Sequence, residues 1–196
     1  MDNILISNIN IYRSTSKRNY NKYKEVLKLE KALLSQPNLY LLGNDLNEML
    51  SEYYNQERSH QMAFIVFQAM AVEAFLNEYI TLRLGKSYFE SMDKLSPTDK
   101  LLIACKLITG KDFPKDVHAY ALLRNTLKYR NELVHFKSKE IDIQEFINNN
   151  KEISEKEIDG ISMTYDKIVE QLNLLDNNFD SKYLEPVPDD FWNIKY

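Results

Sequence analysis

The sequence predicts an all-α chain, an up-and-down helical bundle with an additional N-terminal helix and an extended C-terminal tail. Three observations predict it. Only four glycines and five prolines among 196 residues leave few turn formers for the many short strands of an all-β fold. Hydrophobic residues at 44% and charged residues at 28% have a globular balance, and the length suffices for one domain with a sizeable core. Apolar residues recur at spacings of three and four over most of the chain, the period of a helix face. The expected organisation is a tail over 1–14, a single helical domain over 15–178 and an extended tail over 179–196.

The elements follow in chain order. Ile4, Ile6, Ile9 and Ile11 alternate with polar residues, which fits either a short edge strand or an ordered tail. From about Thr15 to Gln36 the charged stretch "KRNYNKYKEVLKLEKALLS" carries Tyr23, Val26, Leu27, Leu33 and Leu34 on one side, a helix that Pro37 stops. A second helix is expected from Asp45 to Arg58. It leads through "SHQ" into the most apolar helix, roughly Gln61 to Leu84, which Gly85 ends; a helix apolar nearly all round belongs in the middle of a bundle. After a loop, "GKSYFESMDKL", the run "SPTD" supplies an N-cap at Ser96, a proline at the first helical position and Asp99 at the third, and that helix closes at Gly110. Asp116 is expected to cap the next helix, which runs to about Phe136. A short helix near "DIQEFI" precedes Ser154 and Glu157, a capping box. The last long helix carries the stripe Ile158, Ile161, Tyr165, Ile168, Leu172 and Leu175. The tail, with two prolines and Trp192, either docks on the bundle or serves as a contact arm.

Composition excludes several function classes. A net charge of −4 argues against a surface coated in positive charge, so any phosphate site must be local. The one cysteine, Cys105, lies in the apolar run "LLIACKLI" and reads as a buried core residue. The start, "MDNILISNINIY", lacks the basic-then-apolar layout of a signal peptide. The apolar run "MAFIVFQAMAVEAFL" is shorter than the roughly 20 residues a bilayer needs and contains Gln68 and Glu73. A cytoplasmic protein with no membrane partner is expected. His60, His118 and His135 share no metal-ligand spacing, and no HExxH or cysteine cluster occurs, so neither metal nor cofactor is expected. The glycines stand alone and form no phosphate-cradling loop.

Positive charge gathers in one place. Between Arg124 and Lys139 there are five basic residues and one acid, Glu132. Taken as one helix, Leu123, Leu127, Arg130 and Val134 share a face, widened by Leu122, Tyr129 and Leu133. Arg130 therefore stands on the edge of an apolar side. A second stripe, Arg124, Lys128, Asn131 and His135, faces something negative. For Lys137 and Lys139 the helix C-terminal dipole is reason enough; an arginine on an apolar edge additionally calls for a carboxylate or phosphate.

The segment "RNELVH", an arginine, a polar residue and a histidine five positions after the arginine, resembles the motif of the HEPN family, small α-helical domains of which many are ribonucleases, including prokaryotic toxins and abortive-infection proteins. Arg130, Asn131 and His135 occupy the motif positions. Upstream, "AVEAFLNEYI" resembles the preceding apolar helix, with Glu73 and Asn77 as polar interruptions, and the resemblance spans roughly residues 45 to 176. It implies metal-independent RNA cleavage. His135 would exchange a proton with the attacking 2′-hydroxyl or the leaving oxygen, and Arg130 would stabilise phosphate charge. Asn131 would orient the histidine or the substrate, Arg124 and Lys128 would bind phosphate, and Glu73 and Asn77 would support the site. In an ideal helix Arg130 and His135 diverge by about 140° and rise about 7.5 Å; the resemblance implies that a homodimer pairs two motifs. It also leaves open a catalytically silent RNA-, nucleotide- or protein-binding module, and an antitoxin or other partner protein. A purely structural helical partner is the remaining class. For Glu73 the expected partner is Arg130, the cation on a core-facing edge; a backbone amide, a tyrosine or water is the alternative.

Overall fold

The computed structural model describes residues 8–38, 41, 43–134 and 153–187. Among them there are seven α-helices, one 3-10 turn and no strand. The first helix, α1 (Ile9–Leu34), begins six residues before the expected Thr15, so Ile9 and Ile11 are helical rather than in a strand or tail. Its buried face includes Ile9, Tyr23, Val26 and Leu33; Leu34, expected on that face, is exposed.

The second helix, α2 (Asn44–Leu84), is continuous through the "SHQ" stretch, where two helices were expected. Nothing there breaks a helix: there is no proline or glycine, Gln61 is buried, and the His60 Nδ1 lies 3.1 Å from the Asn19 Oδ1. What changes at that point is the environment, from an exposed first half to a buried second half. Gly85 ends the helix at φ 93°, a conformation that favours glycine, and its N–H donates to the Thr81 carbonyl.

α1 and α2 form an antiparallel hairpin. Tyr12 meets Phe67, the Ser16 hydroxyl reaches the Phe64 carbonyl and Asn19 reaches His60, so numbers rise on one helix as they fall on the other. α2 is the central helix and packs against all the others. By length and composition alone it could cross a membrane, but 61% of its apolar window is buried inside the fold.

The stretch expected as a loop after Gly85 holds a short helix, α3 (Lys86–Met92). Met92 is buried against Ile80 and Ala104. In α4 (Pro97–Thr109) the Ser96 Oγ accepts from the Asp99 N–H at 3.1 Å, and Gly110 closes the helix at φ 72°, as the local chemistry predicts. Cys105 is fully buried, and burial raises its thiol pKa. α5 (His118–Val134) starts two residues after Asp116, so Val117, whose carbonyl accepts from Tyr120, holds the position Asp116 was expected to fill. Phe136 and the "DIQEFI" segment lie outside the described residues.

The last long helix is in fact two, α6 (Glu155–Ser162) and α7 (Thr164–Leu175), joined at Met163. The Ser154–Glu157 capping box is formed from both sides, with Glu157 N–H to Ser154 Oγ at 3.3 Å and Ser154 N–H to Glu157 Oε2 at 3.0 Å. The packing stripe survives the break, since Ile158, Ile161, Tyr165, Ile168 and Leu172 are all buried. Gly160 sits where an added Cβ would come within 3.1 Å of the Leu122 side chain, so its size lets α6 lie close against α5. The start of the tail is not extended: a 3-10 turn (Ser181–Leu184) docks Tyr183, and then Val187, on the bundle. Trp192 lies outside the described residues.

Candidate functional site

The first half of α5 is core. Ala119, Leu122, Leu123 and Thr126 are buried, and the Thr126 and Thr164 hydroxyls meet at 2.8 Å, tying α5 to α7 where neither side chain sees water. Beyond Thr126 burial fades. Leu127, Tyr129, Arg130 and Leu133 are half-buried, while Arg124, Lys128, Asn131, Glu132 and Val134 are exposed. The apolar edge expected for Arg130 therefore exists but is open to water at its end.

Around Arg130 the side chains are polar and close. Its Nη1 donates to the Asn131 Oδ1 at 3.0 Å. Lys128 lies 5.5 Å from the Tyr129 ring centre and pairs with Glu132 at 4.0 Å, a contact worth little at an exposed site. The Tyr129 hydroxyl donates to Glu157 at 2.7 Å, and burial first, then that carboxylate, push its pKa up to about 12. Arg124 stands on the same outward side as Lys128, one helical turn earlier. Two of the three motif residues thus touch; His135 lies outside the described residues.

Glu73 and Asn77 are brought together elsewhere. Their shared partner is Lys100, whose Nζ donates to the Asn77 Oδ1 at 2.9 Å and lies 3.7 Å from the Glu73 carboxylate. This corrects the expected Glu73–Arg130 pair. The reason is register. α5 runs antiparallel to α2, so Leu123 joins the cluster of Val72 and Phe75, while Tyr129 and Leu133, flanking Arg130, pack with Phe64 and Ile65. Between Ile65 and Glu73 the helix rises roughly 12 Å. Glu73 and Asn77 consequently belong to the α2–α4 contact and not to the end of α5.

Lys100 is fully buried and was not singled out from the sequence, although it heads the stripe Lys100, Ala104, Ile108 along α4 and so had to face inward. A second buried network was also missed. Asp176, 5% exposed, accepts from the Tyr79 hydroxyl at 2.8 Å, from the Arg83 guanidinium and from the Asn178 N–H at 3.0 Å. Burial alone would raise this carboxyl; the Asn178 N–H, Tyr79 and Arg83 outweigh it and hold the pKa below the usual range.

The other histidines stand apart. His60 has its pKa lowered, by burial first and then by Lys22, and His118 is exposed at the first turn of α5. Among the described residues no group of three or more His, Cys, Asp or Glu could hold a metal ion. Comparison with known proteins finds no matching family model, curated protein or solved structure.

Proposed function

We propose that the protein is a metal-independent endoribonuclease of HEPN type that acts in the cytoplasm as a toxin or in antiviral defence. The observation that carries this reading is the Arg130–Asn131 pair: a guanidinium, held at 3.0 Å by the neighbouring amide on the open end of α5, five positions before His135. A planar fork of donors fixed at one corner keeps its remaining N–H groups available for a phosphate. An imidazole, the side-chain type at position 135, can both take and return a proton near neutral pH. Arg124 and Lys128, exposed on the adjoining stripe, add sequence-independent attraction for the RNA backbone.

The chemistry is a proton transfer with charge stabilisation. His135 removes the proton from a 2′-hydroxyl as that oxygen attacks the adjacent phosphorus, or protonates the 5′-oxygen that leaves. Arg130 neutralises the charge accumulating on the non-bridging oxygens. On one ideal helix an arginine and a histidine five positions later diverge too far to share a phosphorus, and the resemblance to the HEPN family implies two copies of the chain pairing their motifs, so that each phosphate meets residues from both.

Incubation of the purified protein with total RNA, with and without EDTA, tests the proposal. Cleavage in both tubes is expected. RNA left intact but retained in a gel-shift identifies a silent binding module, and cleavage that stops with chelator identifies a metal enzyme; either result overturns the reading.

A further inference from the structure

The turn of α5 that carries Arg130 has less to hold it than the rest of the helix. Beyond Thr126 no described residue of α5 is fully enclosed: Tyr129 and Leu133 are half-buried against Phe64, Ile65 and Ile158, and Lys128, Asn131, Glu132 and Val134 are exposed. Segments with few buried apolar contacts open locally at low free energy. The Arg130–Asn131 hydrogen bond and the Lys128–Glu132 pair both stay on α5 and move with it. Among the described residues, one polar contact of this turn reaches another helix, from the Tyr129 hydroxyl to Glu157 at 2.7 Å.

Glu157 is a fixed acceptor. Its Oε2 accepts from the Ser154 N–H at 3.0 Å and from the Ser154 hydroxyl at 2.6 Å, while its own N–H donates to the Ser154 Oγ at 3.3 Å. That capping box is local to α6 and orients the carboxylate whether or not Tyr129 is present. The Oε1 is the atom that accepts from Tyr129. α6 is in turn anchored to the fold: Ile158 and Ile161 are buried, Gly160 rests against Leu122, and Asp159 accepts from the Tyr20 hydroxyl at 2.8 Å and from Lys24 at 3.0 Å. A continuous line of support therefore runs from the core through α6 and Glu157 to Tyr129, the residue beside Arg130.

We infer that Tyr129 and Glu157 are positioning residues for Arg130: the carboxylate that caps α6 also clasps the arginine's turn, so that the guanidinium is presented at one angle instead of swinging as the turn opens. The role rests on the reading of Arg130 as the group that grips phosphate; the clasp itself does not. Such support matters because a reacting group misplaced by about 1 Å can lose roughly a hundredfold in rate. Neither residue is suited to touch the phosphate. The Tyr129 hydroxyl is directed at α6, and a carboxylate repels an anion, so both act through the arginine.

Tyr129→Phe removes the hydroxyl and keeps the ring. Hydrogen exchange followed by NMR should then speed up about tenfold at the amides of residues 130–134, the loss of one hydrogen bond to a charged group, with the melting curve nearly unchanged. Initial rates of total-RNA cleavage at rising RNA concentration should give a kcat about tenfold lower at unchanged KM, since Arg124, Lys128 and Arg130 keep their charges. Glu157→Gln can still cap α6 and bond the phenol, and retains most of the activity. Glu157→Ala does not, and adding Tyr129→Phe to it lowers kcat no further. Thr126→Val weakens α5 without touching the clasp and leaves kcat unchanged well below the melting temperature. Unchanged exchange in Tyr129→Phe overturns the clasp, and faster exchange at unchanged kcat overturns its role in positioning Arg130. Intact RNA with the wild-type protein overturns the ribonuclease reading instead, and the exchange rates still decide the clasp.

Discussion

Removing the charge of Glu73 isolates what a buried lysine requires. Lys100 is fully enclosed, with Asn77 Oδ1 at 2.9 Å and the Glu73 carboxylate at 3.7 Å. At 3.7 Å two unit charges attract by roughly 4 kcal/mol at an effective dielectric near 20 and by roughly 1 kcal/mol in water. The Glu73 side chain is 39% exposed, so solvent screens the pair and the expected cost of Glu73→Gln is about 1–3 kcal/mol. Lys100→Met behaves differently. It keeps the apolar stem and removes the charge that needs a partner, while the half-exposed Glu73 and Asn77 turn to water, so the expected loss is under about 1 kcal/mol. The double variant should then be no less stable than Lys100→Met alone, because the two substitutions act on one interaction. Urea unfolding followed by circular dichroism measures all three. If Lys100→Met proves costlier than Glu73→Gln, or the two losses add, the buried ammonium is not what makes Glu73 necessary.

Asp176→Asn should cost about 1–3 kcal/mol at neutral pH. Because the folded-state pKa is depressed, the stability the carboxylate contributes is present above the ordinary aspartate value and lost as pH falls through the lower folded value. Wild type and variant should converge in that acid window, and a constant gap in urea titrations across it would refute the assignment. Thr126→Val leaves the buried Thr164 hydroxyl without its 2.8 Å partner, an expected loss of about 1–3 kcal/mol; the Thr126→Val, Thr164→Val double variant should recover much of it in thermal melts, since no orphan remains. His135→Ala should abolish RNA cleavage with an unchanged melting curve, whereas His118→Ala should alter neither. Mixing Arg130→Ala protein with His135→Ala protein should restore some cleavage only if two chains share a site, and sedimentation should show the dimer.

What was legible in the sequence was local chemistry. Ser96, Pro97 and Asp99 begin a helix, and Ser154 with Glu157 begins another, because each set satisfies its own backbone donors without reference to the rest of the chain. The breaks were less legible. At Ser59–Gln61 hydrophobicity rises without any residue that stops a helix, so a change of environment looked like a boundary. At Met163 the helix does break, with no proline there to announce it; the packing of Gly160 against Leu122 involves residues far apart in sequence. The partner of Glu73 belongs to the same class. Facing put both Glu73 and Arg130 toward the interior, but only the antiparallel register of α5 on α2 decides that they sit at different levels, and that Lys100 arrives from α4 instead.

The division of α5 separates folding from the proposed chemistry. Its buried residues are Ala119, Leu122, Leu123 and Thr126, of which Leu123 joins the core of α2, Leu122 meets Gly160 of α6 and Thr126 meets Thr164 of α7. The motif begins after these contacts, on a turn where Asn131 and Glu132 are exposed and Arg130 is held by a neighbouring side chain rather than by the core. A substitution in the first half should therefore reach activity only by way of stability. One at Lys128, Arg130, Asn131 or Glu132 should leave stability within the small range typical of surface positions, whereas Tyr129 and Leu133 still pack against Phe64 and Ile65. This split gives the ribonuclease proposal its sharpest discriminator against a structural role: a helix end that merely caps a bundle tolerates Arg130→Ala in every assay, whereas one that grips phosphate loses RNA cleavage at an unchanged melting temperature.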